Sequence, residues 1–340
     1  MSEFPELELL ESCLDQCVRY GKVNIETVLF DKNCRLPIYS IELGSFNKND
    51  PALAIIGGIH GIERIGSHVI IAFLKHLLEK IAWDDSLCEH LKHTRLLFYP
   101  IANPIGMLRQ KRSNGNGVDL MRHAPVDNER ENIFNLIAGH RISPRMPWYR
   151  GPKNEPLEQE AEVLLKFCKR ELWPAKLAIA LDVHSGFGFR DRLWFPYAKA
   201  KKPVQDLGRF YALRRLLRDT YPYHIYKIEP QCCSYTAQGD LWDYIYDQAI
   251  SIEPRANVYP LCLEMGSWSW IKKNPKQIFS FEGLFNPIIE HRLERTLRRH
   301  ILLFDFLHRA VRSPSVWWDL DSKVKDEYER RGLIKWYERS

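Results

Sequence analysis

Three nearly continuous apolar runs stand out along the chain, and each gives way directly to a histidine or a carboxylate. Residues 52–57 read Ala-Leu-Ala-Ile-Ile-Gly, residues 176–183 read Lys-Leu-Ala-Ile-Ala-Leu-Asp-Val, and residues 259–263 read Tyr-Pro-Leu-Cys-Leu. Runs of this length without polar alternation predict strands covered on both faces. Behind the first run, residues 64–81 set Ile65, Val69, Ala72, Phe73, Leu77 and Ile81 at helical spacing. A fourth strand is predicted over 94–100. Residues 23–30 and 37–43 read as a hairpin closed by Asp31-Lys32-Asn33. Further helices are predicted over 6–20, 156–172 and 203–218, with a shorter one starting in 239–247. A long amphipathic helix over 285–311 carries Ile289, Leu293, Leu297, Ile301, Phe304 and Leu307 on one stripe. Residues 107–122, 127–148 and 228–238 are too rich in turn formers and charges for core elements and read as loops.

Strands alternating with helices predict an α/β fold: a single domain built on a central mixed, largely parallel twisted sheet flanked by helices. No internal repeat or low-complexity linker divides the chain. The domain is assigned to residues 1–312, followed by a surface-packing tail over 313–340 that contains Trp317 and Trp318.

Composition narrows the picture without deciding it. The chain has 340 residues, 45% of them apolar, enough for one sizeable core. Its formal charge of +6 suits anionic ligands and does not demand nucleic acid. Arg292, Arg295, Arg298 and Arg299 are read as a solvated helix face. The start, Met1-Ser2-Glu3-Phe4-Pro5-Glu6, is acidic and lacks the pattern of a secretory signal. No apolar run approaches membrane-spanning length. Eight cysteines without knuckle spacing read as free thiols. A cytoplasmic protein with no membrane or nucleic-acid partner is therefore expected, and its oligomeric state is left open.

The chemistry lies where the strands end. His60-Gly61-Ile62-Glu63 follows the first run, His184-Ser185 follows the second, and Glu264 follows the third. Open sheets gather ligand sites at the carboxyl edge of their strands. If the three strands lie parallel in one sheet, their ends are about 5 Å apart. Two imidazoles and one carboxylate form a known zinc set with a position left for water. Glu264 is placed to take a proton from that water. Asp119 is a candidate to orient His60 through its second ring nitrogen. Three arginines of the 107–122 loop, Arg109, Arg112 and Arg122, look like an anion clamp.

These residues, in this order, resemble the zinc metallocarboxypeptidases of the carboxypeptidase A type, in the bacterial style. The resemblance rests on His60-Gly61-Ile62-Glu63, Arg109 with Arg112, Arg112-Ser113-Asn114-Gly115-Asn116-Gly117-Val118-Asp119-Leu120-Met121-Arg122, His184-Ser185 and Glu264. It implies one zinc ion per chain, held by His60, Glu63 and His184, with Glu264 as general base and Arg112 polarising the scissile carbonyl. It further implies that Arg122, with Arg109 and Tyr235, grips the free carboxylate of a peptide or acylated amino acid. One departure is plain: Met121 stands where the family carries Asn before the clamp arginine. Three readings follow: a carboxypeptidase, a related N-acyl amino acid deacylase of the desuccinylase and aspartoacylase kind, or a non-catalytic zinc-bearing module. His123 is the nearest rival ligand. A side-chain pocket near 239–243, with Asp240, Trp242 or Asp243, is the expected specificity element.

Overall fold

The computed structural model describes residues 4–127, 136–280 and 282–338. Met1 to Glu3 of the amino-terminal reading, and 128–135 of the loop read over 127–148, lie outside the described residues. The strands are β1 (Gly21–Asp31), β2 (Cys34–Gly44), β3 (Ala52–Gly57), β4 (Arg95–Tyr99), β5 (Ala178–Ser185), β6 (Arg192–Phe195), β7 (Lys227–Pro230) and β8 (Val258–Met265). They form one mixed eight-stranded sheet in the order β1-β2-β4-β3-β5-β8-β6-β7. The hairpin forms as expected, with Asp31 paired to Cys34 and Lys32 at φ 53° in the two-residue turn between them.

The central three strands matter most. β3 runs parallel to β5, and β5 runs parallel to β8. The register sets His184 directly opposite Glu264. Every residue of β3 and β5 is buried, so both faces are covered. That burial is why these runs show no polar alternation.

Among the described residues, twelve α-helices surround the sheet. The first four are α1 (Pro5–Glu11), α2 (Leu14–Tyr20), α3 (Arg64–Ile81) and α4 (Asp85–Leu91). Next come α5 (Pro104–Leu108), α6 (Gln159–Glu171), α7 (Leu207–Thr220) and α8 (Leu241–Ser251). The last are α9 (Trp268–Lys273), α10 (Glu290–Arg299), α11 (Ile301–Arg312) and α12 (Ser322–Trp336). α3 and α11 pack on β3 and β5, α8 packs on β8, and α12 lies along α7. Trp317, between α11 and α12, is fully buried. None of the described helices is long and apolar enough to cross a membrane.

Two helices and two strands differ from the sequence reading. The helix expected over 6–20 is two, because Cys13 leaves helical geometry (φ −114°, ψ 2°) and the Ser12 hydroxyl donates to the Leu9 carbonyl at 2.7 Å. The helix expected over 285–311 is also two, α10 and α11, which meet at the buried His300. β6 and β7 carry no periodic signal because each has only four residues. β7 occupies the edge of the sheet, and its Pro230 is tolerated there.

Candidate metal centre

The turn after β3 is built for close approach. Gly58 sits at φ +67°, a conformation that favours glycine. Gly61 has no room for a side chain: a Cβ there would stand 2.0 Å from the carbonyl carbon of Gly106. Pinned against the start of α5, the turn holds the His60 imidazole at the carboxyl edge of the sheet. Glu63 ends the turn immediately before α3. His184 lies near the end of β5, on the strand next to β3.

The side chains of His60, Glu63 and His184 meet. One ligand atom from each can be chosen so that all lie within 4.8 Å of one another, and all three residues are buried. His60 Nδ1 stands 2.8 Å from Glu63 Oε1, and His184 Nδ1 stands 3.0 Å from Glu63 Oε2. The opposite ring nitrogens are tied down by carboxylates. His60 Nε2 donates to Asp119 Oδ1 at 3.0 Å, and His184 Nε2 donates to Asp182 Oδ2 at 2.5 Å. Each carboxylate fixes its imidazole so that Nδ1 is turned inward, the second layer that zinc-binding histidines commonly show. This donor set, two imidazole nitrogens and a carboxylate at one point, fits zinc with a further coordination position open.

Electrostatics agree with a cationic ligand. Burial raises the Glu63 pKa, but His60 and His184 more than offset this and hold it well below the usual carboxylate range. Asp119 is buried too, and Arg112 and His60 hold it low. For His184, Asp182 and Glu63 outweigh burial and push the imidazole well above its usual range. Glu264 goes the other way: burial, then repulsion from Glu63, raise it to about 8. A cation bound at Glu63 would lower it again.

A cavity of about 310 Å³ opens onto this cluster, lined among others by Arg112, Met121, Arg122, Tyr235 and Glu264. Glu264 Oε1 accepts from the Phe187 N–H at 2.9 Å. Arg112 donates through Nη1 to Glu63 Oε1 at 3.0 Å and through Nε to Asp119 Oδ2 at 2.8 Å. Arg122 is 3% exposed, donates to the Tyr235 hydroxyl at 3.3 Å, and has no carboxylate in ion-pair contact among the described residues. Its Nε is buried without a partner. A buried guanidinium with one N–H unmet gains from an anion that arrives to meet it.

Some expected residues stand elsewhere. Arg109 does not line the cavity; Nε and Nη2 form a fork on Asp31 at 2.8 and 2.6 Å, at the tip of the hairpin. Asp240, Trp242 and Asp243 do not line it either. Asp240 caps α8, Asp243 accepts from the Ala198 and Lys199 N–H groups, and Trp242 donates to Asp182 Oδ2 at 2.7 Å. The rival His123 is spent on the backbone carbonyls of Arg150 and Pro156. Asp182 is the residue missed from sequence. Its signal was a lone carboxylate inside an apolar strand, two residues before His184 and therefore on the same face.

Comparison with known proteins places this geometry. The profile of the Peptidase_M14 family, described as zinc carboxypeptidase, matches residues 35–269. Carboxypeptidase D of Drosophila melanogaster is 26% identical over 114 residues, which make up 31% of this chain and 8% of that protein. The chain thus spans a small part of the curated relative it matches. Bovine thrombin-activatable fibrinolysis inhibitor, solved with a tick carboxypeptidase inhibitor, superposes with a TM-score of 0.64 at 17% identity, covering 93% of this chain and 98% of that one. Carboxypeptidase A of Helicoverpa armigera superposes with a TM-score of 0.62 at 16% identity, covering 91% and 72%.

Proposed function

The chain belongs to the zinc carboxypeptidase family, and from that premise we propose that it hydrolyses peptides, releasing the residue that carries the free C-terminal carboxylate. Its cofactor is zinc, for which His60, Glu63 and His184 supply the donors. The observation that carries the reading is Arg122: a buried guanidinium with no carboxylate in ion-pair contact among the described residues, on the same cavity as the donor cluster. A terminal carboxylate is the anion that this cavity calls for.

In this reading Arg122 and the Tyr235 hydroxyl hold the carboxylate of the departing residue, which sets the scissile carbonyl beside Arg112. Bound zinc would supply a Lewis acid and acidify water. Glu264 takes the proton of the attacking water and returns it to the leaving amine, while Arg112 steadies negative charge on the carbonyl oxygen. Asp119 and Asp182 keep the imidazoles aimed. Met121 lines the cavity where the family carries Asn, so one amide donor is missing and Arg122 bears more of the carboxylate recognition. A cytoplasmic setting belongs to this reading and is supported by eight cysteines standing as free thiols.

The test compares the chain with Glu264→Gln. Both should bind one zinc by metal analysis, while the substitution should lower hydrolysis of a free-carboxylate peptide about 10²–10⁴-fold. Turnover retained at full rate would refute Glu264 as the base. Faster release of an acyl group from N-acyl amino acids than of residues from peptides would refute the peptide substrate.

A further inference from the structure

A second cavity, larger than the one at the metal cluster, opens elsewhere on the molecule. It measures about 790 Å³ and shares no lining residue with the cavity beside His60 and His184. It lies at the sheet edge, where β7 meets α7 and the end of α12. Lys201, Arg214, Arg218, Lys227 and Lys335 line it, against a single carboxylate, Glu229. That carboxylate is already engaged: Lys227 Nζ is 2.7 Å away, and the Ser234 hydroxyl donates to it at 3.0 Å.

Among the described residues, some of these positive groups are paired and two are not. Arg218 pairs with the exposed Asp219, a contact worth little. Arg214 and Lys201 have no carboxylate in ion-pair contact among the described residues. Arg214 is half-buried, and burial together with the neighbouring Arg218 lowers its pKa. A nearby anion would reverse both penalties. Tyr226, Trp336 and Tyr337 supply an aromatic part of the remaining wall, beside Ile228, Cys232 and Cys233. The volume suits a small molecule rather than an extended chain.

We propose that this cavity binds a small organic phosphate of the nucleoside diphosphate class, with the phosphates on Arg214, Lys201 and Lys227 and the flat ring against the aromatic wall. Phosphate is favoured over a single carboxylate because several cations converge from separate elements, a match for a multiply charged group. The site is independent of hydrolysis, since none of these residues touches the metal cluster or its cavity.

Calorimetric titration of the zinc-loaded chain with ADP, and separately with inorganic pyrophosphate, tests this. One saturable site is expected for ADP, with affinity weakened at least about 10-fold in Arg214→Ala and in Lys201→Glu and unchanged in Glu264→Gln. Tighter binding of ADP than of pyrophosphate would confirm the role of the aromatic wall, and the reverse order would overturn it. Thermal melts show whether each variant folds, and Lys201, being exposed, can be changed without disturbing packing. The proposal is overturned if neither ligand saturates up to about 1 mM. It is overturned equally if both variants bind as the parent does, which would place the ligand on the zinc.

Discussion

His184 shows how much of this site rests on residues that never face the cavity. Its inner nitrogen addresses Glu63, and its outer nitrogen is held by Asp182, which is itself fixed by the Trp242 indole N–H. Asp182→Asn keeps the shape but removes the charge, and zinc affinity should fall about 10–100-fold in chelator competition, with the fold unchanged by circular dichroism. An unchanged affinity would mean that strand geometry alone orients the imidazole. Arg122 makes a separate prediction. Arg122→Ala should raise KM for free-carboxylate peptides about 10–100-fold, the worth of a hydrogen bond to a charged group, with a much smaller effect on C-terminally amidated peptides. The positions of His60, Glu63, His184 and Glu264 were legible in sequence because each stands at or shortly after the end of an apolar run. Arg109 was misread because spacing placed it in the clamp while the fold turned it onto Asp31. Asp182 was passed over because a strand carboxylate carries no motif of its own.

Elements were legible where they were long and periodic. α3 spans the residues its apolar stripe predicts, whereas the stripe over 285–311 ran on through a break that periodicity cannot register. The helix after that break, α11, carries a titration of its own. His308 is 2% exposed, its ring meets that of His90 edge-on at 4.3 Å, and its Nε2 lies 2.9 Å from the Thr94 hydroxyl. That hydroxyl donates its proton to the His90 carbonyl at 2.9 Å, so His308 Nε2 must be the donor to it. Burial, then His90, then Arg309 push the His308 pKa well below its ordinary value, and burial lowers His90 as well. Unfolded, both imidazoles take protons below about pH 6.5; folded, they resist. The unfolded chain therefore binds more protons in that range, and stability falls as pH drops below about 6.5. Zinc loss at low pH pulls in the same direction, so the informative quantity is a difference between proteins. His308→Gln should flatten the fall in denaturation midpoint between about pH 7.5 and 5.5, and parallel profiles for the two proteins would show that His308 is not its source.

At the scale of the molecule, the donor cluster and Glu264 depend on β3, β5 and β8 lying side by side. Sequence made that arrangement reasonable, and only the sheet order establishes it. Sequence gave less warning of how the chain's end fastens the third of these strands. Trp317 is fully buried, its indole donates to the Ala310 carbonyl at 2.8 Å, and its ring packs edge-on against Tyr259 at 5.5 Å. Trp318 donates to the Tyr259 hydroxyl at 2.8 Å. Tyr259 is the second residue of the strand whose far end carries Glu264. Two adjacent tryptophans in a charged stretch look like surface aromatics; what decides otherwise is a partner 58 residues upstream of Trp317, beyond the reach of any local pattern. The tail thus grips one end of the strand, and the site occupies the other. Trp317→Ala empties a buried ring site and should cost about 3–5 kcal/mol of stability in denaturant unfolding. Because the contact lies remote from the cluster, zinc stoichiometry and kcat of the remaining folded protein should stay as they are. A fall in kcat without the loss of stability would instead mean that the tail sets the position of Glu264 through the length of β8, so that scaffold and site are not separate.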